Sequence, residues 1–324
     1  MKILRRLDHP VNRTNGIVVA VGNFDGVHRG HHKVLNLCRR LAAEHASEAW
    51  ALTFNPHPQR VVHPETAPPL LMDLDEKLKS IRSLGMDGVL VVPFDQGFAA
   101  QEPGQFIATL RNALPTLQCM VVGPNWRFGH NASGTVRTLE ELGRDKRFRV
   151  EVCQPCLHED EPISSTRLRQ AVQSGRLTEF RDMAGYSYQL SGHVIQGKKV
   201  GRELGYPTAN LKPWKEVLPP HGVYAVYAGI AGERLPGAGY FGRRNTAGTE
   251  KGHDLFETYV FDFQDDLYGR TINVDLLEYI RPDCQFESET ALRKQIRSDI
   301  ETVKTALVRA AAKTPDLRPC EGSL

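Results

Sequence analysis

The sequence predicts an α/β chain of two domains: a parallel sheet covered by helices, then a small all-antiparallel β unit with a terminal helix. Three observations predict it. Up to Ala184 apolar strand-like runs alternate with helical patterns. From Tyr188 the period changes to short strands cut by Gly, Pro and charged turns. A last stretch, 288–311, returns to helical spacing.

In the first half, strands read at 17–24, 49–54, 88–94, 118–123 and 148–153, and helices near 31–45, 74–84, 104–113 and 136–144. Strand–helix–strand repetition brings each strand back parallel to the last, so helices cover both faces of the sheet. Ligands of such sheets gather at the carboxyl ends of the strands. In the second half, strands read at 188–196, 222–230, 236–242, 255–263 and 271–280, which makes a small antiparallel barrel or sandwich. The terminal helix carries Leu292, Ile296, Ile300, Val303 and Leu307 on one face, most simply as a cap on that unit. The domain boundary falls near 184–188, between domains 1–185 and 186–324.

Composition narrows the function classes. The 324 residues have room for two domains, and 40% hydrophobic with 24% charged residues is ordinary for a globular protein. Lys+Arg 41 against Asp+Glu 38 gives +3, too little to argue for nucleic acid. No apolar run reaches membrane-spanning length, and Met1 to Asp8 is too charged for a signal-peptide core. Six scattered cysteines without framework spacing imply reduced thiols and a cytoplasmic location.

The richest stretch is 17–31. Ile17 to Val21 reads as a buried strand, Gly22, Gly26 and Gly30 break it, and Val34, Leu37, Cys38 and Leu41 begin a helix. His28 and His31 therefore sit at a helix N-terminus, where free N–H groups and the helix dipole favour phosphate. Two imidazoles three residues apart can face one anion. After the second strand comes Thr53-Phe-Asn-Pro56-His57-Pro58-Gln-Arg60, and after the fourth Gly123-Pro-Asn125-Trp126-Arg127-Phe128-Gly129. The third polar cluster is Ser164-Ser165-Thr166-Arg167-Leu-Arg169, where hydroxyls cap a helix and can donate to a triphosphate, and arginines can neutralise a leaving pyrophosphate. Taken singly, these would read as a rigid turn, an aromatic pair and an ordinary cap.

In this order they resemble the prokaryotic FAD synthetases, a group of nucleotidyltransferases with a His-x-Gly-His signature. Trp126, where Phe is usual, and Pro124 are mild departures. The resemblance implies a Rossmann-like nucleotidyltransferase domain. His28 and His31 would be catalytic. Gly22, Asn23, Phe24, Asp25, Gly30, Ser164, Ser165, Thr166, Arg167 and Arg169 would hold ATP, and Pro56, His57, Pro58, Asn125, Arg127 and Phe128 would hold flavin or nucleotide.

The second half has its own site. In Gly197-Lys198-Lys-Val-Gly201-Arg202-Glu-Leu-Gly205-Tyr-Pro-Thr208-Ala-Asn210, glycines and basic residues can fold over a polyphosphate. Thr208 and Asn210 are neutral oxygen ligands that could complete a magnesium shell with ATP. Without further support a basic surface loop is the simpler reading. The stretch is similar to riboflavin kinases, as are His221-Gly-Val-Tyr, Asp266-Leu-Tyr-Gly and Ile280-Arg281-Pro-Asp-x-x-Phe286. The resemblance implies a riboflavin kinase-like β-barrel with Glu257 as catalytic base. Gly197, Lys198, Gly201, Arg202 and Gly205 would hold ATP phosphates, and Arg281 and Phe286 flavin or nucleotide. Tyr240-Phe-Gly-Arg-Arg-Asn-Thr246 departs from the kinase pattern. Strand alternation places Glu257 with Tyr259 and Phe256 with Thr258, without telling which face is inner.

Together the resemblances imply an enzyme that phosphorylates riboflavin with ATP to FMN and adenylylates FMN with a second ATP to FAD, using Mg2+. Its partners would be riboflavin, FMN, FAD and ATP, with no nucleic acid and no membrane. The alternative is an FMN adenylyltransferase whose barrel is a flavin-binding regulatory module. Two motifs are set aside. Cys153-Gln-Pro-Cys156 lacks the further ligands that zinc needs, so two ordinary thiols are expected. Gly192 to Lys199 nearly fits a P-loop but lacks its Ser/Thr and alternates like a strand.

Overall fold

The computed structural model describes residues 1–7, 15–196, 205–244 and 253–312. The chain forms two compact units, one holding Met1–Ser165 and another beginning at Thr166.

The first unit contains β1 (Lys2–Leu4), β2 (Ile17–Val21), α1 (Arg29–Glu44), β3 (Glu48–Asn55), α2 (Pro58–Val62), α3 (Leu74–Ser83), β4 (Gly88–Pro93), α4 (Gln96–Ala99), α5 (Pro103–Ala113), β5 (Leu117–Val122), α6 (Val136–Lys146), β6 (Arg149–Val152) and a small hairpin of β7 (Leu157–His158) and β8 (Glu161–Pro162). The sheet order is β1-β4-β3-β2-β5-β6, with every pairing parallel. β2 is an interior strand, and all five of its residues are buried. That explains its unbroken apolar run, since a strand covered on both faces has no solvated side. From β2 the chain goes first to β3 on one side and later to β5 on the other. The order reverses there, so the carboxyl end of β2 is the switch point at which doubly wound sheets bind ligands. The core on one face holds Ile17, Val19, Trp50, Leu52, Leu90 and Met120.

The second unit contains α7 (Ser165–Gln173, whose first residue closes the other unit), α8 (Leu177–Ala184), β9 (Tyr188–Ile195), β10 (Ala209–Leu211), β11 (Gly222–Ile230), β12 (Glu233–Arg244), β13 (His253–Val260), β14 (Thr271–Pro282) and α9 (Glu289–Ala312). Its strands close into a barrel, β10-β13-β12-β11-β14-β9, with β9 returning to β10. This decides between barrel and sandwich. β9 runs through Gly192 with strand-like alternation of burial, as the rejection of a P-loop required. Val303, Ala306 and Leu307 of α9 pack on Val223, Ala225 and Leu277 outside the barrel, so the apolar stripe of the terminal helix does cover it.

The change of period near 185 does not coincide with the break between compact units. Gly185, at φ 87, ends α8 in the left-handed region. Phe180 of α8 then sets its ring edge-on to Tyr188 of β9, 5.1 Å between centroids. The helical segment before the boundary thus packs with the barrel that follows it. Cys38, Cys119 and Cys153 are free and buried thiols, and burial pushes their pKa values up. Cys156 is disulfide-bonded, which corrects the expectation of reduced thiols and leaves Cys153 alone of that pair as an ordinary thiol.

Candidate active sites

At the switch point, β2 gives way to a tight loop, and the loop to α1. Phe24 (φ 49), Gly26 (φ 80) and Val27 (φ 24) all lie at positive φ, a conformation that side-chain-bearing residues keep only when their surroundings impose it. Phe24 and Val27 are buried. The carboxylate of Asp25, 1% exposed, accepts the backbone N–H groups of Leu71 and Met72 at 3.1–3.4 Å. Thr53 Oγ1 donates to the Asn23 carbonyl at 3.0 Å, and Ser165 Oγ donates to the Asp25 carbonyl at 2.8 Å.

His28 is the N-cap of α1. Its Nδ1 accepts the backbone N–H of His31 at 3.2 Å, a bond that a shorter Ser or Asp more often supplies. The His28 and His31 rings stack at 3.7 Å and 15°. A Cβ at Gly30 would lie 3.0 Å from His28 Cε1, so a larger residue there would press on that ring. Burial, with the nearby His32 adding to it, pulls the His28 pKa down to about 3. Burial, His28, His32 and Lys77 pull His31 the same way. Both rings are therefore neutral. Because His28 Nδ1 is an acceptor, its proton is assigned to Nε2. His31 Nδ1 is buried with no hydrogen-bond partner among the described residues. The pair can donate or accept single hydrogen bonds but brings no positive charge.

Beside the loop lies a cavity of about 780 Å³ lined by Asn23, Phe54, Pro58, Phe98, Phe106 and Trp126, together with Asn125, Arg127 and Phe128. Trp126 and Phe128 are stacked at 4.5 Å and 14°. Volume and aromatic lining suit a planar ring system. Of the Pro56-His57-Pro58 segment only Pro58 lines it. The Asn55–Pro56 peptide is cis, and His57 caps α2 through Nδ1 to the Gln59 N–H at 3.3 Å. Ser164 and Ser165 precede and begin α7, in which Arg169 is buried and Arg167 lies 3.8 Å from Glu179.

In the barrel, all three residues of β10 pair with β13, and Asn210 and Leu211 pair with β9 as well. Asn210 stands opposite Glu257, Tyr240 flanks Glu257 on the other side, and Thr208 Oγ1 donates to Glu257 Oε2 at 3.3 Å. Thr208, Asn210 and Glu257, 49 residues apart in the case of the bonded pair, are thus brought together. Phe256 packs inside with Phe241 and Tyr224. Glu257 consequently points to the outer face, yet it is only 8% exposed. A cavity of about 410 Å³ is lined by Thr208, Thr258, Asp266, Leu267 and Tyr268 among others, but not by Glu257. Thr258 Oγ1 is buried there with no partner among the described residues.

Arg281 is held by Asp299 of α9 in a bidentate pair at 2.9 and 2.7 Å, which raises its pKa. Its guanidinium lies 6.0 Å from the Phe286 ring. Gly205 is at φ 87 in a turn. Gly197, Lys198, Gly201 and Arg202, and Asn245 and Thr246 of the departing loop, lie outside the described residues. Sequence reasoning missed Lys77, which is 7% exposed; its spacing on α3 with Leu78 and Ile81 matches an inward face, but a lysine does not register in an apolar count.

A doubly wound sheet with a His-x-Gly-His pair at its switch point, joined to a kinase-type barrel with a Thr, Asn and Glu cluster, defines a two-domain nucleotide-using enzyme class. The FAD synthetase family model matches residues 11–167, and the riboflavin kinase model matches 184–307. Curated proteins named bifunctional riboflavin kinase/FMN adenylyltransferase are similar throughout. That of Escherichia coli K12 is 34% identical, covering 94% of this chain and 97% of its own. That of Pseudomonas fluorescens is 31% identical, covering 96% and 99%. This chain belongs to the bifunctional riboflavin kinase/FMN adenylyltransferase family.

A solved Streptococcus pneumoniae structure named a macrolide-efflux protein superposes with TM-score 0.83 at 27% identity, covering 93% of this chain and 98% of that one. In the described residues of this chain, no helix is long and apolar enough to cross a membrane.

Proposed function

We propose that this chain makes FAD from riboflavin in two steps. The barrel transfers the γ-phosphoryl group of ATP to the ribityl 5′-hydroxyl, giving FMN and ADP. The sheet domain then directs a phosphate oxygen of FMN to the α-phosphorus of a second ATP, giving FAD and pyrophosphate. Both reactions belong in the cytoplasm on this reading, with domains 1–185 and 186–324 as the two functional halves.

The observation that carries the bifunctional reading is the grouping of Thr208, Asn210 and Glu257. A barrel kept only to bind flavin would have no need of a nearly buried carboxylate beside two oxygen donors. Glu257 would take the proton of the attacking hydroxyl, which barely ionises at neutral pH. Thr208 and Asn210, hard oxygen donors, fit Mg2+ better than a softer ion and would hold it with ATP, where it supplies charge neutralisation on the phosphates. Gly205 and the residues 197–202 are assigned the ATP phosphates, and Arg281 and Phe286 the edge of the flavin site.

In the sheet domain, His28 and His31 would donate hydrogen bonds to the α-phosphate as its charge develops. The loop Gly22–Asp25 and Gly30 give the phosphates close access to the helix N-terminus. The flavin ring would occupy the aromatic cavity, with Asn125, Arg127 and Phe128 against it and Pro56–Pro58 at its side. The segment Ser164–Arg169 is assigned the pyrophosphate. Chromatography after incubating the full chain with riboflavin, ATP and Mg2+ tests this: FMN and FAD should both form. FAD from supplied FMN, with no FMN from riboflavin, would leave the barrel a regulatory module.

A further inference from the structure

Lys77 has no role in either reaction as described. It lies in the first turn of α3, after an Asp73–Glu76 capping box, and is 7% exposed. An ammonium withdrawn from water is unfavourable unless hydrogen bonds or an opposite charge compensate it. Two groups do so here. Nζ donates to Thr53 Oγ1 at 3.5 Å; burial lowers the pKa of Lys77, and the carboxylate of Asp25 acts against that shift.

Both partners lead to the same place. Thr53, fully buried on β3, passes its own hydrogen to the carbonyl of Asn23. Asp25 belongs to the loop itself and anchors it to the Leu71 and Met72 amides. One buried cation thus reaches Asn23 through a hydroxyl and Asp25 through charge. Between and after them lie the positive-φ residues Phe24, Gly26 and Val27, a backbone that relaxes unless several contacts hold it. The hydroxyl relay is directional. With Lys77 donating to its oxygen, Thr53 must donate onward, and Asn23 is the acceptor it meets.

We propose that Lys77 is a positioning residue for adenylyl transfer, holding the Asn23–Asp25 segment in its phosphate-receiving form through Thr53 and Asp25. The assignment to adenylyl transfer rests on the function proposed above; the structural role does not.

The test measures hydrogen–deuterium exchange of the full chain across residues 22–28, together with FMN and FAD formation. Lys77→Met keeps the aliphatic length without charge, Thr53→Val keeps shape without the hydroxyl, and Thr53→Ser restores it. Lys77→Met and Thr53→Val should each speed exchange across 22–28 by about tenfold. Each should lower kcat for FAD formation on the order of tenfold with the ATP KM nearly unchanged, while riboflavin phosphorylation by the same chain is unaffected. Thr53→Ser should behave like the parent. The double variant should be no worse than the worse single one, because both break one relay. Unchanged exchange in Lys77→Met overturns the proposal. So do multiplicative losses in the double variant, or a raised ATP KM at constant kcat, which would mean direct contact with nucleotide. A parent chain that makes no FAD would refute the function reading, and the exchange data would still decide the role of Lys77.

Discussion

Nδ1 of His28 accepts the backbone N–H of His31 at 3.2 Å while the two imidazole rings stack at 3.7 Å. One side chain therefore caps the helix, fixes its own tautomer and supports the ring of its neighbour. That leaves Nε2–H as the edge of His28 able to donate.

Removing that edge should separate the two activities. His28→Ala is expected to lower FAD formation from FMN on the order of 100-fold or more, as loss of a preorganised donor does. It should also weaken the sheet unit by about 1 kcal/mol through the lost cap. FMN formation from riboflavin should continue. FAD formation near the parental rate would remove His28 from the reaction.

The same residue makes stability depend on pH. His28 titrates near 6.5 when unfolded and near 3 when folded, because burial and His32 disfavour its charged form. Between those values the unfolded chain binds the proton and the folded chain does not. Stability is thus complete above about pH 6.5 and falls as pH drops toward 3, with His28 alone removing about 2 kcal/mol at pH 5. Urea unfolding at pH 7 and pH 5 measures this. His28→Asn, which keeps a capping acceptor, should flatten part of the slope; an undiminished slope would assign it to other groups.

Glu257→Gln should retain fold and riboflavin binding, abolish detectable phosphorylation and leave FAD synthesis from supplied FMN intact. Thr208→Ala should show the same division with a smaller loss, since it removes one donor beside the carboxylate. Equal rates for Glu257→Gln and parent would place the base elsewhere.

Trp126→Ala should raise the KM for FMN roughly tenfold, the size of one lost aromatic stacking partner, with little change in the ATP KM. It removes the ring stacked on Phe128 at the cavity wall. A change in the ATP KM alone would assign this cavity to the nucleotide.

Asp299→Ala should lower the stability of the barrel unit by about 2 kcal/mol or more, because it leaves the Arg281 guanidinium without its bidentate partner. Differential scanning calorimetry would read this as a downward shift of one transition. If riboflavin KM rises while that transition stays in place, Arg281 serves the flavin site through Asp299 rather than the fold.

Much of this protein is legible along the chain. The buried run Ile17–Val21, the glycines and the His-x-Gly-His pair announce a strand, a tight loop and a helix start, because each depends on residues within a few positions. The change from helical to strand period likewise announced a second architecture, and the spacing of Ile300, Val303 and Leu307 announced the inner face of α9. Family resemblance added roles to residues that spacing alone would leave as turns and caps.

Other features needed the folded chain. β10 is three residues long, too short to show a period, yet its pairing sets Asn210 opposite Glu257. Alternation separated Glu257 from Phe256, but only Phe241 and Tyr224, arriving from other strands, show that Phe256 takes the inside. Resemblance names Arg281 as a ligand-binding arginine; only the fold shows that Asp299, on a helix that follows, holds its Nε and Nη2. Local sequence determined the elements and the chemistry each could offer. Which strand edges met, which charges were buried and which donors were already committed was decided by contacts between residues far apart in the chain, whose energies depend on the closed barrel and the finished sheet.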